Sequence, residues 1–243
     1  MESDNIQKIQ EEQYEFPYHH LVNFDHFDNH KTLYGGINYY GYIKKVLDYI
    51  NKGKFVSLLD VGCGDGKLIF ELARKSKNKK LTGIDFSEKA VLFAKAFNHG
   101  NGSEFIHGDV NELKKTYDVV TAVETLEHIP DDLINGIVDS IYRILPVGGR
   151  FVVSVPSTND PLNGKHYRHY TLPSLVKTLE KFRLEEYSFV ISNNKFYVFW
   201  AKLSGKLSNF GFVRKIVFSV SKSFFWDAND KTGTHIVAIF RKI

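Results

Sequence analysis

The repeat of apolar positions changes period several times along this chain, and each change marks an element. Residues 37–52 place Ile37, Tyr40, Ile43, Val46, Leu47 and Ile50 near a 3.6-residue repeat, which predicts a helix stopping at Gly53. The run FVSLLDV at 55–61 is short and continuously apolar apart from Ser57 and Asp60, so it predicts a buried strand. A helix follows at Lys67–Ser76, a strand at 81–85, and a helix capped by Ser87 that runs to about Phe97. Strands are predicted at 104–107 and 117–123, and a helix over Asp131–Leu145 that halts at Pro146 and Gly148-Gly149. A strand at 150–155 ends at Pro156. The last elements are a helix at Thr171–Lys181 with Pro173 in its first turn, and strands at 184–191 and 235–242. Strands that are apolar throughout are covered on both faces. Alternating with helices, they predict an α/β fold with a mostly parallel sheet.

A length of 243 residues fits one such domain. We expect an N-terminal cap or lid over residues 1–36 and one domain over 37–243, with an insertion at 192–233 between the last two strands. Cys63 is the single cysteine, so no disulfide forms within the chain and a reducing compartment fits. The polar N-terminal stretch lacks a signal-peptide-like apolar core, and no run of about 18 apolar residues occurs. The expected location is therefore the cytoplasm.

The most informative stretch is Leu58-Leu59-Asp60-Val61-Gly62-Cys63-Gly64-Asp65-Gly66-Lys67: a buried strand, three glycines at alternate positions, then a helix. Glycines in such a turn allow positive φ and close backbone approach to a ligand. Asp85 ends the next strand, where a carboxylate can accept hydrogen bonds from a ribose diol, and Asp109 follows the strand after that. A dinucleotide-binding loop reads G-x-G-x-x-G and seats a pyrophosphate. Here the third glycine comes one residue earlier, and Asp60 and Asp65 flank the loop. Acids there repel a pyrophosphate and suit a ligand bearing a sulfonium and an ammonium group.

These segments resemble motif I and its followers in the class I S-adenosylmethionine (SAM)-dependent methyltransferases, of the type 11 and ubiquinone O-methyltransferase-like kind. The resemblance covers about residues 55–191 and the last strand. It implies a Rossmann-like seven-stranded sheet of order 3-2-1-4-5-7-6 with the last strand antiparallel. It also implies SAM as cofactor and S-adenosylhomocysteine (SAH) as product. By that resemblance the methionine part of SAM meets Asp60, Gly62, Cys63, Gly64 and Gly66. Asp85 meets the ribose hydroxyls and Asp109 the adenine amino group, with Val110 beside it; Phe86 and Glu124 are further expected cofactor-binding residues.

After the fourth strand comes Glu124-Thr125-Leu126-Glu127-His128-Ile129-Pro130, and Lys165-His166-Tyr167-Arg168-His169-Tyr170-Thr171 follows downstream. Three readings stay open. His128, Glu127, His166 and His169 form a catalytic or substrate-contacting group, with a histidine as general base. Alternatively Glu124, Glu127, His128 and His166 bind a divalent metal. The E-x-x-E-H spacing resembles ubiquinone-pathway O-methyltransferases and small-RNA 2′-O-methyltransferases, although Ile129 stands where the latter have a further histidine. In the third reading these groups pin loops. The site-residue expectation takes the first reading and assigns no metal.

Charge and aromatic content matter chiefly at the C-terminal end. Lys195 to Ile243 holds nine Lys/Arg against two Asp/Glu, so the rest of the chain is net negative although the whole is +4. The insertion mixes Phe196, Trp200, Phe212, Phe224 and Trp226 with Lys202, Lys206, Arg214, Lys215 and Lys222. A helix with an apolar and a basic face covers a lipid-like acceptor or lies on an anionic membrane; packing on the sheet or in a homodimer is the alternative. The expected acceptor is a small molecule, a sugar or lipid-linked glycan, methylated on oxygen before nitrogen, with peripheral contact to the inner membrane face. The patch Tyr14 to His20 would help to close its pocket. DNA is not expected, because no N/D-P-P-Y/F tetrad follows the fourth strand. RNA is disfavoured by the absence of a dense basic cluster with a recognition motif. The alternatives are a metal-assisted RNA 2′-O-methyltransferase and a SAM-binding partner subunit without catalysis.

Overall fold

The computed structural model describes residues 33–75, 78–194 and 228–243. Helix α1 (Leu33–Ile50) precedes strand β1 (Ser57–Val61), helix α2 (Lys67–Lys75) and strand β2 (Lys80–Asp85). Helix α3 (Glu88–Phe97), strand β3 (Glu104–His107) and strand β4 (Val119–Val123) follow, then α4 (Ile134–Ile144), β5 (Arg150–Pro156) and α5 (Leu172–Thr178). Strands β6 (Phe182–Ser192) and β7 (Gly233–Lys242) complete the sheet, whose order is β3-β2-β1-β4-β5-β7-β6. The first five strands run parallel, and β7 pairs antiparallel with both β5 and β6. This is the sheet implied by the resemblance.

The continuous apolar runs are explained by the two faces of this sheet. Leu58 and Leu59 are adjacent in β1, point to opposite sides and are both fully buried. Leu58 packs with Ile43, Val46 and Ile50 of α1 and with Leu68, Ile69 and Leu72 of α2. Leu59 packs on the other side with Ile141, Phe151, Leu175 and Phe240. The expected stop at Gly53 has a partner that sequence periodicity does not show. Arg150, 6% exposed, donates to the carbonyls of Tyr49, Ile50 and Gly53 at the end of α1.

Several element ends differ from expectation. The boundary drawn at residue 36 falls inside α1. Helix α4 begins at Ile134 rather than Asp131, because the Pro130 carbonyl closes a turn with the amides of Leu133 and Ile134. Strand β4 begins at Val119, since Asp118 turns its carboxylate to the amides of Val56 and Ser57. Helix α5 is shorter than expected and is capped at Thr171, whose hydroxyl accepts from the Ser174 amide. Strand β6 is longer because β7 pairs along its length. The aromatic patch at 14–20 and residues 195–227 of the insertion lie outside the described residues. No described helix is long and apolar enough to cross a membrane.

Candidate functional site

The carboxyl ends of β1, β2 and β4 open into a cavity of about 560 Å³. Its lining includes Asp60, the loop Gly62–Asp65, Asp85, Phe86, Asp109, Val110, Glu124, Glu127, His128 and His166. This is where ligands sit in open α/β sheets, outside the strand carboxyl ends at the point where strand order reverses. Strand β1 lies at that point, between β2 and β4.

Gly62 and Gly66 have φ of +69° and +77°, left-handed values that a side chain strains to adopt. A Cβ on Gly62 would lie 2.5 Å from the Thr125 side chain, and one on Gly66 would lie 2.7 Å from the Asn98 amide nitrogen. The loop is thus packed tightly from behind and leaves its front to the cavity. Asp85 holds it from the next strand, accepting from the Gly64 amide at 2.8 Å and the Ser87 amide at 2.9 Å. Asp60 is 3% exposed and accepts from the Thr121 hydroxyl at 2.6 Å. Burial, opposed by that bond and reinforced by Asp85, pushes Asp60 up to about 7. Burial likewise pushes the Cys63 thiol far up, so it is not a nucleophile here. Phe86 is 54% exposed and offers a ring at the rim, while Asp109 caps the short helix Val110–Glu112 through the Asn111 amide.

The E-x-x-E-H segment splits in two. Glu124 sits at the end of β4 with φ +52°. Its carboxylate turns to Ser154 (2.5 Å) and to the Nε2 of His235 in β7 (3.2 Å). Burial disfavours its charge, but His235 and the two hydrogen bonds outweigh that and hold it below the usual range. Glu127 and His128 lie on the short helix Leu126–His128. Glu127 is fully buried, and neither carboxylate oxygen has a hydrogen-bond donor. Burial and the charge of Glu124 push it well above the usual range, so the environments of the two carboxyls drive them in opposite directions. His128 donates from Nδ1 to the Lys165 carbonyl at 2.9 Å, and burial lowers it.

One ligating atom each from Glu127, His128 and His166 lies within 4.8 Å of the others. Glu124, the fourth residue of the metal alternative, is outside this group. The His166 ring stands edge-on to His128 at 4.7 Å, and burial lowers it to about 4. His169 reaches His166 through a 2.7 Å contact and does not line the cavity. Arg168 secures the segment from below, donating to the Leu126 carbonyl at 2.7 Å and pairing with Asp131. The sequence reading missed Thr121, Thr125, Arg168, His235 and the α1 residues Tyr39 and Tyr42. Tyr42 lines the cavity and stacks on His235 at 4.9 Å. Its helical spacing from Tyr39 was visible, but nothing in the sequence pairs either with a strand nearly two hundred residues away.

A glycine loop from β1, an acid ending β2, a cavity at the switch point and a β7 inserted antiparallel define the class of Rossmann-like methyltransferase folds. Solved structures agree on the fold. A TehB-like SAM-dependent methyltransferase from Corynebacterium glutamicum matches with TM-score 0.56 at 16% identity, over 84% of this chain and 88% of that one. The N-methyltransferase NodS from Bradyrhizobium japonicum, solved with SAH, matches with TM-score 0.57 at 15% identity, over 83% and 85%. Residues 52–198 match the methyltransferase domain family, and the chain belongs to that family of SAM-dependent enzymes. Ubiquinone biosynthesis O-methyltransferases are similar over a shorter stretch. That of Nitrosomonas europaea is 34% identical over 109 residues, 42% of this chain and 45% of the relative. That of Psychrobacter cryohalolentis is 37% identical over 110 residues, 42% and 41%. The similarity therefore spans less than half the length of these relatives.

Proposed function

We propose that this chain methylates an oxygen of a small hydroxyl-bearing acceptor, with SAM as donor. The reading rests on one observation above all: the glycine-loop cavity also contains two imidazoles and a buried carboxyl without a hydrogen-bond partner, drawn together at His128, His166 and Glu127. The residues present fit the cofactor. Asp60 suits a cationic ligand, Lys67 in the same cavity lining (4% exposed, paired to Glu71 at 2.9 Å) suits a carboxylate, and the loop presents backbone to the cavity. A carboxylate has about four acceptor sites, so Asp85 can hold the loop and a ribose diol together. When bound, SAM supplies an activated methyl group on a cationic sulfur.

The chain's own work is then alignment and proton handling. His128, whose Nδ1 donates to the Lys165 carbonyl, would take the acceptor's hydroxyl proton at Nε2. The names of the curated relatives support oxygen over nitrogen. A sugar or lipid-linked glycan is the acceptor class in this proposal. Its sequence basis, the insertion at 192–233, lies mostly outside the described residues.

A metal-assisted variant has its own support, since Glu127 is buried without a hydrogen-bond donor beside two imidazoles, an oxygen/nitrogen donor set that suits a divalent ion. One experiment separates the two. Release of SAH is followed over a panel of sugars, glycolipids and phenols, with and without EDTA, for the wild type and His128→Ala. The base reading expects indifference to EDTA and a loss of about 100- to 10,000-fold in His128→Ala with SAH binding retained. Chelator-abolished turnover restored by a divalent ion would replace it with the metal reading. No SAH release with any hydroxyl acceptor would sink both.

A further inference from the structure

Two imidazoles at this site have their proton positions set by backbone carbonyls behind them. A carbonyl oxygen only accepts, so His169 Nδ1, 2.8 Å from the Asp160 carbonyl, carries a hydrogen. A neutral imidazole has one N–H, so His169 Nε2 holds a lone pair. It lies 2.7 Å from His166 Nδ1, which must therefore be the donor of that bond. The remaining nitrogen of His166, Nε2, is then an acceptor. By the same argument the Lys165 carbonyl leaves His128 Nε2 with a lone pair, 3.9 Å from a Glu127 carboxyl oxygen. One contact opposes this assignment: the Asn163 amide nitrogen is 3.4 Å from His166 Nδ1. At that length it is the weaker interaction. For Nδ1 to accept from both neighbours, His169 would have to be an imidazolium, donating from both nitrogens.

We propose that His169 is a positioning residue that acts through His166, fixing it in the Nδ1–H tautomer so that Nε2 is an acceptor. The tautomer of a histidine is set by the bond that its other nitrogen makes. The two imidazoles then offer acceptors only, and a guest at this site must bring hydrogens or positive charge. A hydroxyl-bearing acceptor satisfies this. The inference borrows its use from the proposed methyl transfer, but its test reads no turnover, so failure of that function and failure of this assignment are distinguishable.

The test is the ring-nitrogen NMR spectrum of the 15N-labelled full chain with SAH, near pH 7.5. The expected result is a protonated Nδ1 and an unprotonated Nε2 in both His166 and His169. In His169→Leu the His166 Nε2 signal should move toward the protonated region. In His169→Gln, whose amide oxygen can accept where Nε2 did, it should return. A protonated Nε2 on His166 in the wild type, an imidazolium at His169, or an unmoved His166 in folded His169→Leu would each overturn the assignment. If the leucine variant does not fold, the wild-type spectrum alone decides.

Discussion

Asp60 sits in an environment that disfavours its charge. Its pKa of about 7 lies above the ordinary carboxylate range, so between about pH 4 and 7 the folded chain holds a proton that the unfolded chain has released. The sign follows: ligand-free stability falls as pH rises through that window. A cationic ligand favours the ionised form and reverses this. We expect the melting-temperature increment given by SAM to grow between pH 5 and 7.5, on the order of 5 °C for ~2 kcal/mol in a chain of this size. SAH, lacking the sulfonium charge, should show a smaller rise, and Asp60→Asn should flatten both. Equal increments at every pH would remove the electrostatic role given to Asp60. That the glycine loop, Asp60 and Asp85 come together at one cavity was legible in the sequence, because they lie at the carboxyl ends of two consecutive strands. The Glu124–His235 pair was not, since it joins strands brought together only by the sheet. Nor was the division of labour between Glu124 and Glu127. In sequence they are two equivalent acids, and it is Ser154 and His235 that favour charge on Glu124, while Glu127 is buried without such partners.

Among the elements, the short helix Leu126–His128 carries the acid–histidine group yet has no side-chain cap of its own. It is held from the later segment, by Arg168 on the Leu126 carbonyl and by the Tyr167 amide on the Glu127 carbonyl at 2.8 Å. Arg168→Ala should therefore cost about 1.5–3 kcal/mol, a hydrogen bond from a charged donor, and lower the melting temperature by roughly 5–10 °C. Turnover should fall further than folding explains, while calorimetric SAH affinity changes less than about twofold, because the glycine loop is held by Asp85 instead. An equal loss of SAH binding would show that the two halves of the cavity are not separately supported. Element type was legible where a run was long and periodic, as in α1, or short and mostly apolar, as in β5. Some ends were legible too, such as the Ser87 cap and the end at Phe97 of α3, but others were not: Asp118 and Pro130 set theirs through bonds to residues that no periodicity counts.

For the whole molecule, the basic and aromatic stretch at 195–227 gives a prediction independent of the site. If it meets an anionic lipid surface, the protein should sediment with anionic vesicles at low salt and be released at about 0.5 M, where screening is short-ranged. Lys215→Glu with Lys222→Glu should weaken that sedimentation and leave SAH affinity unchanged; no sedimentation at low salt would favour packing or dimerisation. The sheet itself has a consequence in time. Strand β7 lies between β5 and β6 although it follows both in the chain, and among the described strands β6 pairs only with β7. A growing chain on the ribosome can therefore assemble β1 to β5 with their helices, but β6 has no seat until β7 emerges. Until then the flank of β5 is an unpaired strand edge, open to wrong partners. β6 ends at Ser192 and β7 spans Gly233–Lys242, so synthesis must run to about residue 242 before that edge is covered, and the nascent chain is most exposed to mispairing at this late stage rather than at its start.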